Sequence, residues 1–182
     1  MRSLLLAITL LVSVPVYANT VVLDFEDYPV THFFDDPVYD FVYKGYSFEG
    51  NGFGSDFAGN ALYGCIYCSG TISNNDGLSF SLESFDVIAG IIGSGSLEIT
   101  GTYAGGGSIT QNYVVSGGSW ESIVMGSGWT NLASLEYTFY IPDGFYGGLD
   151  NVTVTAVPIP AAVWLFGSGL GLLGWRRLKQ AF

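Results

Sequence analysis

Two cysteines, Cys65 and Cys68, carry the most reactive side chains of the chain, and two residues separate them. A zinc site would need two further soft or imidazole ligands, but the sequence has a single histidine, His32. A thioredoxin-like redox pair would open a helix, whereas glycine-rich sequence surrounds this one. In an oxidising compartment we therefore expect a local disulfide between Cys65 and Cys68, which closes too short a ring to add much global stability.

Motifs for catalysis are absent from the sequence. It contains no G-x-S-x-G, no H-E-x-x-H and no glycine-rich phosphate-binding loop. Pairs of carboxylates for glycoside hydrolysis can be drawn in many ways among sixteen acidic residues, so no single pair is favoured. We therefore expect a protein that is not an enzyme, with a secreted glycosidase-like enzyme as the less favoured alternative.

The N-terminus has the pattern of a secretory signal peptide. Arg2 precedes an apolar segment, and the small residue Ala18 completes a cleavage pattern that places the cut before Asn19. We therefore expect residues 1–18 to be a signal peptide and the rest of the chain to be exported through the inner membrane.

The C-terminal segment, residues 157–182, combines a proline break, an apolar run and a basic cluster. These are Val157, Pro158, Ile159 and Pro160, then an uncharged run at about 161–175, then Arg176, Arg177 and Lys179. The prolines end any preceding strand, and the basic residues are typical of the cytoplasmic side of a membrane. As a helix the run would span roughly 22 Å, which is short for a hydrocarbon core of about 30 Å. The pattern therefore predicts a short transmembrane helix, and one reading is an ordinary membrane anchor.

This combination of motif, run, basic cluster and terminal position resembles the PEP-CTERM sorting domain of Gram-negative bacteria. The resemblance implies recognition by an exosortase-type processing enzyme, with cleavage near the Pro-x-Pro element. It also implies transient anchoring in the membrane, followed by a place at the cell surface or in the extracellular matrix. Ile159 stands where the family pattern has Glu, so the motif here is a Pro-aliphatic-Pro variant.

The segment between the two termini, residues 19–156, is large enough for one domain with its own core. It contains all sixteen acidic residues and one basic residue, Lys44, which gives it a formal charge of −15. Binding to phosphate backbones requires a cationic surface, so this charge excludes nucleic acid as a partner.

Apolar and polar residues alternate in short segments separated by Gly, Ser, Asn and Asp, which is typical of an all-β protein. Leu135, Tyr137 and Phe139 alternate with Glu136 and Thr138 in the clearest example. The predicted strands are 21–25, 42–48, 78–82, 85–92, 96–103, 108–115, 120–125, 132–141 and 151–156. So many antiparallel strands in one domain predict a two-sheet β-sandwich, jelly-roll-like in organisation.

The first and last predicted strands, Val22–Asp27 and Gly148–Val154, resemble the terminal strands of carbohydrate-binding jelly rolls. In those families acids of the two strands often hold a structural calcium ion. Carried over to this sequence, the resemblance implies a Ca²⁺ site formed by Asp24, Glu26 and Asp150.

Aromatic and acidic residues are concentrated between Tyr28 and Tyr67. Aromatic faces can stack on sugar rings and carboxylates can accept hydrogen bonds from sugar hydroxyls, although core packing explains most such residues equally well. The interpretation of the whole sequence is an exported cell-surface or matrix protein that binds polysaccharide, such as exopolysaccharide. The alternative is a purely structural matrix or interaction protein without a glycan ligand.

Overall fold

The computed structural model describes residues 18–27, 40–50, 53–56, 59–64, 69–90, 93–142 and 147–157, and Asn19–Val157 forms one compact unit. The described residues form twelve strands and no helix. The strands are β1 (Thr20–Leu23), β2 (Phe41–Tyr43), β3 (Tyr46–Glu49), β4 (Phe53–Asp56), β5 (Gly59–Gly64), β6 (Ser69–Asn74), β7 (Phe80–Ile88), β8 (Ser94–Tyr103), β9 (Ser108–Ser116), β10 (Glu121–Val124), β11 (Leu132–Tyr140) and β12 (Gly147–Ala156).

Hydrogen bonding divides these strands into two antiparallel sheets. In the terminal sheet, which contains both terminal strands, β12 pairs with β7 along one edge and with β5 and β1 along the other. Strands β4 and β10 extend this sheet at its two sides. The hairpin sheet has the order β2, β3, β6, β11, β8, β9. A single bridge between Phe80 and Leu132 connects the sheets.

The core lies between the two sheets and draws on both. Residues such as Leu82, Val87 and Val154 of the terminal sheet belong to the same buried cluster as Leu97 and Tyr137 of the hairpin sheet. Each strand contributes alternate side chains because successive side chains of a strand point to opposite faces. The predicted all-β, antiparallel, two-sheet sandwich is confirmed.

Individual strands differ from the prediction where turns are encoded by few residues. The predicted strand 42–48 is a hairpin, because Lys44 and Gly45 both have positive φ, at 47° and 85°, and form the two-residue turn between β2 and β3. The predicted strands 78–82 and 85–92 form one strand, β7, with a register irregularity where it pairs with β12. Strands β4, β5 and β6 were not predicted, since their glycine, serine and asparagine residues are typical of turns.

Several predictions fall outside the described residues. The signal peptide, apart from Ala18, the sorting tail from Pro158 onward, and Cys65 with Cys68 all do so, and they stay predictions. Among the residues that are described, no helix has the length and apolar character needed to cross a membrane.

Candidate functional site

Four carboxylates gather on the outer side of the terminal sheet: Asp24, Glu26, Asp86 and Asp150, here called the acidic cluster. Asp86 on β7 and Asp150 on β12 are directly paired across the two strands. Asp24 and Glu26 follow β1, whose last residue, Leu23, pairs with Val152 of β12. The structure therefore places the three residues that the sequence nominated as calcium ligands at one end of the same sheet, together with Asp86.

Hydrogen bonds from neutral groups hold the two paired carboxylates. The Asn151 backbone N–H donates to Asp150 Oδ1 at 2.7 Å, and its side-chain Nδ2 donates to Asp86 Oδ2 at 2.9 Å. The Ser122 hydroxyl of β10 donates to Asp86 Oδ1. Asn151 reaches both acids because its φ of 48° and the adjacent register shift turn it out of the regular strand. Left-handed backbone is more readily adopted by asparagine than by most residues.

Like charges face Asp150 from several directions. Burial is the main cause that raises the pKa of Asp150; the hydrogen bond from the Asn151 backbone opposes it, and the charges of Glu26, Asp86 and Asp24 add to it, so that the pKa lies at about 6. Carboxylates that lie directly opposite each other across two strands repel. Within the acidic cluster, Asp150 is thus the carboxyl group whose ionisation the fold disfavours.

Asp24 is held from its other side by the turn of the β2–β3 hairpin. Lys44 Nζ lies 2.6 Å from Asp24 Oδ1, and the Tyr43 hydroxyl donates to the same oxygen at 2.7 Å. The hydrogen bond from Lys44, and then that from Tyr43, lower the pKa of Asp24. The Tyr43 hydroxyl also contacts Asp27, and burial, followed by these two carboxylates, raises the pKa of Tyr43. Lys44 is the only lysine or arginine between residues 18 and 157. This single cation lies against one member of the acidic cluster, Asp24.

These contacts bear on the predicted calcium site. The ammonium group of Lys44 already lies against Asp24, and Asp150 accepts hydrogen bonds from Asn151. Within the described ranges, no group of three or more His, Cys, Asp or Glu residues is arranged to hold a metal ion. The Ca²⁺ site formed by Asp24, Glu26 and Asp150 stays a prediction.

The aromatic residues of the 28–67 segment that the structure describes with their side chains are buried. Phe41, Tyr43, Tyr46 and Phe48 belong to the core. Phe41 and Phe48 stack at 4.7 Å, and Phe25, itself fully buried, packs against both and against Tyr43. For these side chains the interpretation as a sugar-stacking surface is therefore wrong, since packing removes their faces from solvent.

A different surface offers the groups that a glycan would need. The outward side chains of the hairpin sheet form four rows across adjacent strands, here called the hydroxyl face. The rows are Val114, Ser96 and Tyr140; Asn112, Glu98, Thr138 and Ser69; Thr110, Thr100, Glu136, Thr71 and Glu49; and Ser108, Thr102, Ser134, Ser73 and Ser47.

Eleven of the seventeen residues in these rows are Ser or Thr, three are Glu, and none is Lys or Arg. All of them are exposed or half-buried. Thr100 and Thr110 already form a cross-strand hydrogen bond between their hydroxyls, with the oxygens 2.9 Å apart. The face is therefore a plane of uncharged donors and acceptors interrupted by carboxylates, with Tyr140 and Val114 as its apolar members.

Sequence reasoning recognised part of this surface as alternation, because Glu98 and Thr100, and Glu136 and Thr138, stand opposite apolar neighbours. The sequence could not predict which of these residues lie side by side on neighbouring strands. β11 pairs with β6 on one side and β8 on the other, and this order depends on contacts between residues far apart in the chain.

Comparisons with known proteins identify no relative by sequence: no protein-family model and no curated protein matches the chain. Among solved structures, one mutant of a family 29 carbohydrate-binding module, in complex with cellulohexaose, is similar with a TM-score of 0.49 at 12% identity, covering 76% of this chain and 91% of that chain. A mutant of the same module with mannohexaose gives 0.47 at 13% identity, covering 78% and 93%. An agarase gives 0.44 at 14% identity, covering 68% of this chain and 24% of that chain. Because each of these TM-scores is below 0.5, the likeness assigns no ligand to this chain.

Proposed function

We propose that this chain is an exported, non-catalytic protein of the cell surface or extracellular matrix that binds a polysaccharide on its hydroxyl face. The observation that carries the proposal is the continuous array of Ser, Thr and Glu side chains across five paired strands. Carboxylates of Glu98 and Glu136 can accept hydrogen bonds from sugar hydroxyls, and the Ser and Thr hydroxyls can both donate and accept. Tyr140 and Val114 offer apolar contact to the C–H groups of a sugar ring.

The charge of the domain narrows the ligand. With a formal charge of −15 between residues 19 and 156, the domain repels polyanions, and the hydroxyl face itself contains three carboxylates and no cation. A neutral polysaccharide therefore fits the face better than a uronic-acid-rich or sulfated one.

Export and sorting are proposed from the two ends of the sequence. A signal peptide at 1–18 and a PEP-CTERM-like tail at 157–182 together support passage through the inner membrane and processing by an exosortase-type enzyme. The test is mass spectrometry of the mature protein from its host, reading both ends. We expect a new N-terminus at Asn19 and loss of residues 161–182; retention of Trp164 to Phe182 would leave only a membrane anchor.

The glycan proposal is tested by titrating the purified protein with neutral and acidic polysaccharides and following binding by calorimetry or affinity electrophoresis. We expect at least one neutral polysaccharide to bind. Glu136→Gln should then weaken binding about tenfold, which corresponds to about 1.4 kcal/mol, because it removes a charged acceptor at the centre of the face. Glu83→Gln, the same change on an exposed residue of the terminal sheet, is the control and should leave the affinity unchanged.

Equal loss in both variants would contradict the placement of the ligand on the hydroxyl face. Failure of every polysaccharide to bind would favour the second candidate, a structural matrix protein without a glycan ligand. That candidate is supported by one specific observation. The nine-residue strand β9 ends the hairpin sheet and, among the described residues, pairs with one strand, β8.

The predicted calcium is tested separately by thermal unfolding with calcium and with EDTA. A Ca²⁺ ion shared by Asp24, Glu26 and Asp150 would stabilise the folded state, so EDTA would lower the unfolding midpoint. An unchanged midpoint would overturn the calcium prediction and leave the glycan proposal untouched.

A further inference from the structure

Strand β9 forms the outer edge of the hairpin sheet, and within the described part of the chain its one neighbouring strand is β8. Four other strands also pair with one neighbour, and they are short: β2 has three residues, and β1, β4 and β10 have four each. β9 has nine. Short edge strands are one means by which proteins avoid pairing with other chains, and β9 does not use it.

The sequence of β9 also lacks the other usual protections. Its residues, SITQNYVVS, include no charge and no proline, although the domain around it carries a formal charge of −15. Lysine and proline on an edge, or an inward-pointing charge, normally discourage strand addition. Val114, near the C-terminal end of the strand, is 83% exposed. The edge is thus long, uncharged and accessible.

The alternation of hydrogen-bonded and non-hydrogen-bonded pairs between β8 and β9 shows which backbone groups of β9 face outward. The Tyr103 N–H donates to the Gly107 carbonyl at 3.0 Å, so this pair opens the β8–β9 ladder, and bonded pairs recur at every second residue. Ile109, Gln111, Tyr113 and Val115 therefore bond to β8. Thr110, Asn112 and Val114 direct their N–H and C=O groups away from it.

The hydrogen bonds of Ser116, the last residue of β9, agree with this alternation. The Ser116 N–H donates to Glu121 Oε1 at 3.0 Å, and its carbonyl accepts from the Ala89 N–H at 3.2 Å, both on the side away from β8. Ser116 is therefore closed off, and the open segment runs from Ser108 to Val114.

We infer that the open edge of β9 binds β9 of a second copy of this chain, antiparallel and related by a two-fold axis through Asn112. In this register Asn112 pairs with Asn112 of the second copy, and Thr110 pairs with Val114. These are the residues whose backbone groups point outward, so the two-fold register matches donors to acceptors. On the opposite face the register places Val115 near Ile109 and Tyr113 near Gln111.

Each domain carries a formal charge of −15, but the side chains of Thr110, Asn112 and Val114 that meet around the axis are neutral, and the Glu121 carboxylate lies beyond them, at Ser116. The nearest carboxylate in the same row is Glu98 of β8, which pairs with Asn112. The two copies of Glu98 would stand three strand spacings apart, roughly 14 Å, beyond the screening length of about 8 Å at physiological ionic strength. A partner of different sequence would not reproduce this symmetric pairing of Thr110 with Val114 and of Asn112 with Asn112. A second copy is therefore the better occupant of the edge.

A contact through one strand is small, and small interfaces are weak and transient. Pairing would therefore depend on concentration and would be greatest where many copies are held together, as at a surface or in a matrix. It would also join two hydroxyl faces into one continuous plane. This inference does not depend on the glycan proposal, and either can fail alone.

Cross-linking of the full-length protein in detergent tests the register directly. In the proposed pair the two Asn112 Cα atoms stand about 5.5 Å apart, within the range that a disulfide spans. Asn112→Cys should give a reducible dimer under mild oxidation. Val124→Cys is the matched control, since Val124 is 81% exposed on the short edge strand β10. Wild type measures any background from Cys65 and Cys68. No more dimer with Asn112→Cys than with Val124→Cys would overturn the inference.

A charge exchange at the same position separates loss of pairing from loss of folding. Asn112→Lys and Asn112→Asp each place like charges opposite each other at the two-fold axis, so each alone should shift the sedimentation profile toward monomer. An equal mixture of the two should recover association, because Lys then opposes Asp. Association of Asn112→Lys at the wild-type level, or no recovery in the mixture, would also overturn the inference.

Discussion

The two sheets of this sandwich are built differently. In the hairpin sheet, β8 and β9 pair without interruption from Ser94–Ser116 to Thr102–Ser108, and the pairing of β8 with β11 shifts register once, between Leu132 and Ser134. In the terminal sheet, the pairing of β7 with β12 shifts register twice, between Asp150 and Thr153 and again between Thr153 and Val154. Unbroken register repeats the same outward chemistry from strand to strand, and interrupted register turns individual side chains such as Asn151 toward particular partners.

This difference separates two kinds of surface. The regular sheet presents an extended plane that suits a long, repetitive ligand or a second copy of itself. The irregular sheet concentrates charge at one place and joins the first strand of the domain to the last. Substitutions that act on one sheet and spare the other can therefore test whether the two sheets have separate roles.

The largest effect is expected at Gly147 of the terminal sheet, which packs against the ring of Phe139 in the hairpin sheet. A Cβ atom added at Gly147 of β12 would overlap the Phe139 ring on β11. We expect Gly147→Ala to lower the free energy of unfolding by about 3 kcal/mol, because a buried ring in a packed core cannot move aside freely.

Two controls accompany Gly147→Ala in denaturant unfolding. Gly101→Ala on β8 would meet mainly the methyl groups of Leu132, at 2.9 and 3.2 Å, and should cost less because those atoms can rotate. Gly105→Ala in the β8–β9 turn meets nothing within 4 Å and should leave stability unchanged. Equal costs for Gly147 and Gly101 would show that neither sheet is more tightly fitted than the other.

The second prediction concerns Asp150 in the acidic cluster. Its folded-state pKa of about 6 lies above the ordinary value of 3.8, so its stabilising contribution is present below pH 3.8 and is lost as the pH rises through 6. The shift corresponds to about 3 kcal/mol at most, and solvent screening at this half-exposed site reduces the expected effect to about 1 kcal/mol. Asp150→Asn should therefore match wild type near pH 4 and exceed its stability at pH 7.

Denaturant unfolding across this pH range checks the result. Glu136→Gln, an exposed carboxylate of the hairpin sheet, is the control and should run parallel to wild type. A gain at pH 7 from both substitutions would point to relief of general charge repulsion across the domain and would remove any special role for the acidic cluster.

The smallest prediction concerns Lys44. Lys44→Met removes the ion pair with Asp24 and the cation that lies 5.0 Å from the centre of the Tyr43 ring, while it keeps the length of the side chain. We expect a loss of about 0.5 kcal/mol, typical of a solvent-exposed pair. The depressed pKa of Asp24 means that this contribution is present above pH 3.8 and lost as the pH falls.

The loss should therefore disappear at low pH and shrink in high salt, since screening weakens exposed ion pairs. Lys44→Arg keeps the charge and serves as the control. A loss that persists unchanged in 1 M salt would indicate that packing of the lysine stem, and not its charge, is responsible.

The class of fold could be predicted from the sequence because alternation is a local property. Strands β8 and β11 show it in full, whereas β9 has the polar Gln111 among its inward residues and the apolar Val114 outside. The bounds of all three strands agree with prediction to within two residues. The β2–β3 turn was missed because Lys44, at positive φ, gives no turn signal of its own. Strands β4 to β6 were missed because their residues favour turns, and only pairing with β3, β11 and β12 makes them strands.

Prediction of the sites would have needed the long-range pairing of strands more than prediction of the fold class did. The carboxylates Asp24, Glu26 and Asp150 were singled out by resemblance, whereas Asp86 was not, because only the β7–β12 register places it beside Asp150. Phe41 and Phe48 looked like surface candidates in a list of aromatic residues. Both rings are buried because Phe25 packs against them in the core. Phe25 has a φ of 54°, which is uncommon for phenylalanine and could not be predicted from the sequence.

The pairing of β1 with β12 has a mechanical consequence. Thr20 lies opposite Thr155, and the Ala156 N–H donates to the Asn19 carbonyl at 3.0 Å, so both ends of the domain leave from one place. A pull on the N-terminal end is resisted by the hydrogen bonds of β1 to one strand, β12. A pull on the C-terminal end loads β12 lengthwise between β7 on one side and β1 and β5 on the other, so many hydrogen bonds must fail together. A domain tethered by its C-terminus would therefore be held through a strand that has three partner strands, and not through the singly paired β1.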